Sequence, residues 1–427
     1  MSAFDWLLDK LALLWAVLAN IWWLWLPALL LFIIRGKWLE YRNEFYRRRI
    51  PRVLLEIKSP REVIKSAKAM EQVLANMYSL SNAPSNWYET YVDGEVPLWF
   101  SAEICGSGSG ANFYIYAPAI HQRAIESFFH AQYPDVEVAE VPDYTQALPE
   151  NYDDLAKLGY RLWGTELLLT KDDAYPIRTY LEFESSQAEE ENLDPIASLI
   201  ELFGKCKANE RVWVQLLIRP AGPEWPEKAK AEIKKLKDAS TRTITPDEGQ
   251  PYQMYTIKTP GEIETLKAVE RKVAKQGFYT LIRYVYIAPS EVYNSTFVRK
   301  GVRGAFMQYG SSSLNSFRHN DYIATQLEWH FWPFLFAKKR LASRRRKVYE
   351  NYRQRQTPDE NFFSKLSDLS ILNFGSFRRD DYVLSTEELA TIYHLPTVAV
   401  TTAPIMKKIE SRRVGPSLGL DIFKEGE

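Results

Sequence analysis

Residues Leu11 to Ile34 run for 24 positions without one charged side chain. No other feature constrains the fold as strongly. As a helix rising 1.5 Å per residue, the run is about long enough to cross the roughly 30 Å hydrocarbon core of a bilayer. Trp15, Trp22, Trp23 and Trp25 are rings of the kind that collect near membrane interfaces. Pro27 is a kink point, and Asn20 is one polar group to satisfy within the span. Two blander readings compete. A cleaved signal peptide needs a basic leader, a short apolar core and a small-residue cleavage site. Here Asp5 and Asp9 precede the run, the run is too long, and it ends in Ile33-Ile34-Arg35. A buried core helix is rarely apolar all round over this length. The reading is a retained single span that contacts the lipid bilayer through Leu11 to Ile34 and carries a large polar domain.

The flanks orient it. Before the run stands Lys10, offset by two aspartates; after it come Arg35, Lys37, Arg42, Arg47, Arg48, Arg49 and Arg52. Basic excess marks the cytoplasmic side, and such a cluster sits well at anionic headgroups. The expectation is a single-pass protein of the cytoplasmic (inner) membrane, N-terminus outside and bulk in the cytoplasm.

The chain beyond the span is long enough for two or three ordinary cores. Lysine plus arginine and aspartate plus glutamate are both 54, so the formal net charge is zero. That argues against a protein built as a whole to bind polyanions, though not against local patches. The two cysteines, Cys105 and Cys206, lie far apart, which matches no metal or disulfide spacing and fits a reducing compartment.

Periodicity predicts a strand over 52–57, then a helix opened by Ser59-Pro60 and running to about Tyr78. Leu98–Ile104 and Asn112–Tyr116 read as a hairpin across the glycine-rich turn 106–110, with a helix from Pro118 and a strand over 136–141 after it. The same order returns with strands over 160–170 and 177–184, a helix opened by Asp194-Pro195, and a strand over 211–219. A third unit pairs strands over 252–258 and 278–287 with helices from Thr259 and from Ser290. A capping box, Ser385-Thr-Glu-Glu388, starts a short helix. The predicted class is α+β: a transmembrane helix, tandem β-β-α-β units of the split βαβ or ferredoxin-like theme, and a helical and extended C-terminal part. The divisions are an anchor with its basic helix (1–50), tandem units (51–222), a third unit (223–330), a basic helical segment (331–366), and a C-terminal helix with extended tail (367–427).

The search for chemistry yields no active site. Gly106–Gly110 lacks the lysine and following helix of a phosphate-binding loop. His121, His130, His319, His330 and His394 show no metal spacing, and no serine or cysteine sits in a nucleophile motif. Neither catalytic residue nor cofactor is expected. One constellation stands out: nine cations in the 18 residues from Lys338 to Arg355. Lys338, Lys339, Arg340, Arg344, Arg345, Arg346 and Lys347 are the candidate phosphate or nucleic-acid contacts, because a basic run can track backbone phosphates. A solvated helix with compensating acids elsewhere is the competing reading. On either, replacing Arg344, Arg345 and Arg346 by alanine should leave folding intact.

Three segments carry a resemblance. They are Asp194-Pro-Ile-Ala-Ser-Leu-Ile-Glu201 with Glu210-Arg-Val-Trp-Val-Gln-Leu-Leu-Ile-Arg-Pro220, Leu384-Ser-Thr-Glu-Glu-Leu-Ala-Thr-Ile-Tyr-His-Leu-Pro396, and Phe113-Tyr-Ile-Tyr-Ala-Pro118 with Tyr133-Pro-Asp135. Together they resemble the membrane-anchored N-terminal region, a domain of unknown function, of bacterial ATPases related to type IV secretion and conjugation. The resemblance spans roughly Arg52 to Pro416. The P-loop motor of those ATPases would follow about where this chain ends, so ATP hydrolysis is not carried over. The resemblance implies a non-enzymatic scaffold or docking module that partners a separate P-loop ATPase. The alternative is a membrane-tethered nucleic-acid-binding component using 338–355, and an enzyme of another type is the third class.

Overall fold

The computed structural model describes residues 10, 19–20, 22–58, 65–80, 84–108, 110–183, 194–238, 241–244, 252–255, 259–326, 336–357 and 381–396. Helix α1, Trp22–Arg49, is the one helix among them long and apolar enough to cross a membrane, by length and composition. Its apolar side chains Trp22, Trp23, Leu24, Leu31, Phe32 and Ile34 are all more than half exposed. Positions 11–18 and 21 of the expected span lie outside the described residues.

Segments apolar on both faces make the strands. Arg211–Pro220 (RVWVQLLIRP) and Gly277–Pro289 (GFYTLIRYVYIAP) bury nearly every side chain, as central strands covered on two sides must. The strands are β1 (Arg52–Lys58), β2 (Phe100–Ser107), β3 (Gly110–Pro118), β4 (Glu137–Val141), β5 (Tyr160–Leu169), β6 (Arg211–Pro220), β7 (Thr241–Ile244), β8 (Tyr252–Tyr255), β9 (Gly277–Pro289), β10 (Phe317–His319) and β11 (Tyr382–Ser385). Nine of them form one sheet in the order β10-β5-β9-β6-β2-β3-β1-β4, with β11 continuing the β5 side of β9; β7 and β8 form a separate hairpin. Every described pairing is antiparallel.

The sheet has two halves, joined where β2 pairs with β6. In the first, β4-β1-β3-β2 places the strands fourth, first, third, second. In the second, β10-β5-β9-β6 repeats that order. Helices α2 (Ala67–Tyr78) and α3 (Gln122–Gln132) cross over in the first half. Helices α5 (Ala197–Gly204) and α8 (Ser295–Met307) do so in the second. Between β6 and β9 come α6 (Glu224–Asp238), the β7–β8 hairpin and α7 (Pro260–Val273). Thus β9, from the stretch expected to form a third unit, lies between β5 and β6.

Two expectations are corrected. The repeating order begins one strand earlier than the expected β-β-α-β units, because β1 pairs with both β3 and β4. Of the strand expected over 177–184, the described residues 177–183 are not a strand: the amides of Ile177 and Tyr180 donate to Glu388 Oε1 and Thr391 Oγ1, and Tyr180–Phe183 is a helical turn. Gly277 opens β9; there a Cβ would meet Val383 Cγ1 at 2.8 Å. The helix opening at Ser59-Pro60 lies outside the described residues, and Ser66 caps α2 instead. The capping box expected at Ser385 forms with Glu388, and Thr259, expected to open a helix, caps α7 in a second box with Glu262.

Alternation along each strand divides the core in two. On one face Phe100, Phe113, Ile115, Val214, Leu216, Ile282 and Tyr284 meet α2, α3, α5 and α8, together with α10 (Thr386–Ile392). On the other, Cys105, Tyr114, Leu162, Trp213, Val285 and Ile287 meet α4 (Tyr152–Lys157) and α9 (Ala337–Arg353). Fully burying one such aliphatic or aromatic side chain stabilises by about 1.5–3 kcal/mol.

Candidate functional site

Helix α9 carries the basic run, and it lies flat on the second face. Val348, Tyr349 and Tyr352 point into that core. The approach is close: a Cβ at Gly164 on β5 would stand 2.8 Å from Val348 Cγ1, so only glycine admits the helix there. This contact decides where each candidate cation goes. Positions 340, 344, 348 and 352 share one face at four-residue spacing. Arg340 is accordingly 3% exposed and Arg344 8%. Arg344 Nη1 donates to the Ala324 carbonyl at 3.2 Å, while Arg340 Nε and Nη2 are buried without a hydrogen-bond partner. Arg345 and Lys347 are half-buried. Arg346 is exposed and pairs with Asp153 of α4 at 2.9 Å. Lys338 and Lys339 are exposed, the latter over the Phe336 ring. The seven therefore do not form one phosphate-facing surface. The expectation that Arg344, Arg345 and Arg346 are jointly dispensable for folding is corrected, because Arg344 is part of the interior.

Beneath the C-terminal end of α9 the sheet carries a row of polar residues. Opposite one another across the strands stand Glu56, Tyr114, Glu103, Gln215, Arg283 and Glu166. Five of these, Tyr114, Glu103, Gln215, Arg283 and Glu166, are buried. Buried polar groups need partners, and neighbouring side chains, α9 and the residues just past it supply most of them. Arg283 donates from Nη1 to the Asn351 carbonyl at 2.6 Å and from Nη2 to the Gln356 carbonyl at 2.5 Å. Glu103 receives Ser101 Oγ at 2.6 Å, Gln215 Nε2 at 2.9 Å and Tyr144 Oη at 2.6 Å.

Arg355 closes this network. It is 1% exposed, with its Nε 2.8 Å from Glu103 Oε1 and Nη1 2.5 Å from Asp143 Oδ2. Its guanidinium lies 4.1 Å from the Tyr116 ring centroid. Its φ is +50°, just past the helix end, a position glycine usually fills. Such strain persists only where the surroundings over-determine it, and two carboxylates do so here. Burial disfavours the Arg355 cation, but the charges of Glu103 and Asp143 outweigh it and hold the group charged. Burial likewise pushes Asp143 up, and the Arg355 hydrogen bond and charge, with the Thr145 donors, bring it below the ordinary carboxylate range. Tyr144 and Tyr352, 2.8 Å apart at their hydroxyls, are pushed up by burial.

Groups suited to nucleophilic or acid-base work are tied down. Burial holds the Cys105 thiol well above its usual range, and burial with Glu210 pushes Cys206 up to about 12. His319 is lowered to about 4 by burial and by Arg303 and Arg299, and shares a 2.8 Å hydrogen bond with Tyr284. Among the described residues no group of histidine, cysteine or carboxylate side chains could hold a metal ion.

The polar row is what motif searching missed. Its signal was present: a charged or amide side chain stands in the middle of each largely apolar strand, Glu103 in FSAEICGS, Gln215 in RVWVQLLIRP, Arg283 in GFYTLIRYVYIAP and Glu166 in YRLWGTELLL. The three segments that carried the resemblance also meet. His394 Nε2 is 2.9 Å from Asp194 Oδ1, and Tyr393 donates to the Tyr114 carbonyl at 3.0 Å. Glu388 also forms a buried ion pair with Lys272 at 3.0 Å, so the 381–396 segment is built into the body.

A family model described as Domain of unknown function (DUF8128) matches residues 103–408, and the chain belongs to that family. No curated protein matches it.

Proposed function

We propose that this chain is a non-enzymatic, single-pass membrane protein whose α/β body serves as a cytoplasmic scaffold or docking module. The carrying observation is that α1 runs unbroken from the exposed apolar stretch into a clamp on the body. Trp38 Nε1 donates to the Tyr91 carbonyl at 2.7 Å, and Arg35 Nε to the Tyr91 hydroxyl at 2.8 Å. Gly94, at φ +71°, lets the body approach so closely that a Cβ there would stand 2.5 Å from the Arg42 backbone. A helix gripped this way holds its cargo at a set distance from the bilayer rather than on a loose tether. The basic residues after Ile34 support a cytoplasmic body in the inner membrane. The repeated fourth-first-third-second strand order supports reading both halves as tandem ferredoxin-like units. The internal use of the most buried charges supports a structural role over a catalytic one. The resemblance to type IV secretion and conjugation ATPases supports a separate P-loop ATPase as the partner.

The test is membrane fractionation of the full chain with a reporter fused after Glu427, then co-purification from solubilised membranes. Retention after carbonate washing, cytoplasmic reporter activity and a co-purifying P-loop ATPase are the expected results. Release by carbonate or a periplasmic signal overturns the topology. Turnover of ATP by the purified chain alone overturns the non-enzymatic reading.

A further inference from the structure

Where α1 passes the edge of the body, two adjoining grooves of about 550 and 470 Å³ share Glu44, Arg47, Arg48, Gln354 and Gln356 in their walls. Arg219 of β6 enters one; Arg52, Trp99 and Tyr116 enter the other. Some of this charge is matched. Arg48 pairs with Glu44 at 2.8 Å, Lys37 with Glu40 at 2.7 Å, and Arg219 lies 3.7 Å from Asp381. Arg47 and Arg52 differ. Neither has a carboxylate within ion-pair distance among the described residues. Arg47 Nε is buried with no hydrogen-bond partner. Arg52 lies 3.8 Å over the Trp99 ring and gives Nη1 to the Trp99 carbonyl at 3.0 Å. Burial pushes its guanidinium down to about 10, and the neighbouring cations Arg47 and Arg355 add like charge against it. A desolvated cation facing a second cation across an open groove lacks its anion.

We propose that this groove binds a phosphate group, held by Arg47 and Arg52 with the Gln354 amide and Thr357 hydroxyl as neutral donors. Guanidinium forks match phosphate oxygens in pairs, and stacking on Trp99 fixes the plane of one of them. The ligand is a phosphomonoester or phosphodiester, on an anionic lipid or a soluble molecule. Arg47 stands thirteen residues beyond Ile34, roughly 20 Å along a helix. A lipid headgroup reaches it only if α1 tilts against the bilayer, whereas a soluble phosphate needs no tilt. The proposal goes beyond the docking role and stands without it, because its soluble arm requires neither a span nor a partner.

The experiment uses the full chain in phosphatidylcholine nanodiscs at constant ionic strength. Thermal midpoints are measured against inorganic phosphate or pyrophosphate, and separately with phosphatidylglycerol mixed into the disc. Arg47→Gln and Arg52→Gln are compared with Arg346→Gln on α9. The expected result is a saturable rise with at least one probe that chloride does not give. Both groove variants should weaken it about tenfold or more, and Arg346→Gln should keep it. A rise with soluble phosphates only assigns a soluble ligand; one with phosphatidylglycerol only assigns a lipid. Arg52→Gln risks misfolding, so half-buried Arg47 carries the decision. No saturable rise with any probe, or an unchanged rise in Arg47→Gln, overturns the proposal.

Discussion

Helix α1 ends in Arg47-Arg48-Arg49, and α9 carries Arg344-Arg345-Arg346 in its middle, yet the two helices place their charge differently. On α1 the pairs Lys37–Glu40 and Arg48–Glu44 are solvent-exposed and local, one helical turn apart. On α9 the stripe through Arg340 and Arg344 continues into Val348 and Tyr352 and faces the sheet. The difference comes from what each helix lies on. Among the described residues the apolar half of α1 finds no protein surface to cover. That of α9 covers Gly164, Trp213 and Val285, which draws its neighbouring arginines inward. Counting cations along a segment therefore says little about the charge it presents. The helical phase of those cations relative to the nearest apolar stripe says more.

The largest test of this contrast is Arg355. Arg355→Ala leaves Glu103 buried without its cation, and a broken buried pair costs about 3–5 kcal/mol. Denaturant unfolding should show that loss. Replacing Arg355 and Glu103 together with apolar residues should recover most of it. If the single change costs under about 1 kcal/mol, the network is not what fixes α9 to the sheet.

Much of this was readable in the amino-acid order. The apolar alternation of β2, β3, β5, β6 and β9, the capping box at Ser385, the helix opening at Thr259 and the stretch before Arg35 all depend on local spacing. The single sheet did not announce itself, because strand order is set by pairings such as Glu103 with Gln215 across 112 positions. The segment 177–184 looked like a strand from its composition. Its amides are taken instead by Glu388 and Thr391, over 200 residues away. Of the candidate site, Lys338, Lys339 and Arg346 were found on an exposed surface. Arg340 and Arg344 were not, although Val348 and Tyr352, four and eight residues beyond Arg344, already marked the inward face.

Arg344→Ala tests that phase directly. It removes a buried hydrogen bond to the Ala324 carbonyl, with an expected loss of about 1–3 kcal/mol. The same change at exposed Arg48 should cost less than about 0.5 kcal/mol. Equal effects at the two positions would erase the contrast between the helices.

Acid should separate the helices as well. The folded-state value of Asp143 lies below its unfolded one, so its contribution is complete above the ordinary carboxylate range. That contribution is lost as pH falls through the depressed value. His319, lowered to about 4, acts in the same sense between its ordinary value near 6.5 and about 4, because the unfolded chain takes up the proton first. Thermal midpoints should decline through both windows. Asp143→Asn should flatten the lower one and His319→Gln the upper. Neutralising Lys37 and Arg48 on α1 should leave both unchanged.

The smallest expected effect concerns the exposed cations of α9. Lys338, Lys339 and Arg346 remain outside once Arg340 and Arg344 are accounted for, and Arg346 is shared with Asp153. Exposed charges of this kind contribute little to folding, so the triple alanine variant should unfold within about 0.5 kcal/mol per site of the parent. It also decides whether the segment meets nucleic acid. A helix that neutralises phosphates gives an affinity falling with salt by about 0.9 counterion per contact, and three lost contacts would lower that slope by nearly three. With three of its arginines buried, the run presents too few aligned cations for strong binding. The expected result is no saturable DNA binding by the full chain at physiological ionic strength, in parent and variant alike. Tight, steeply salt-dependent binding that the triple change weakens would reverse the contrast, making α9 the charged surface of the molecule.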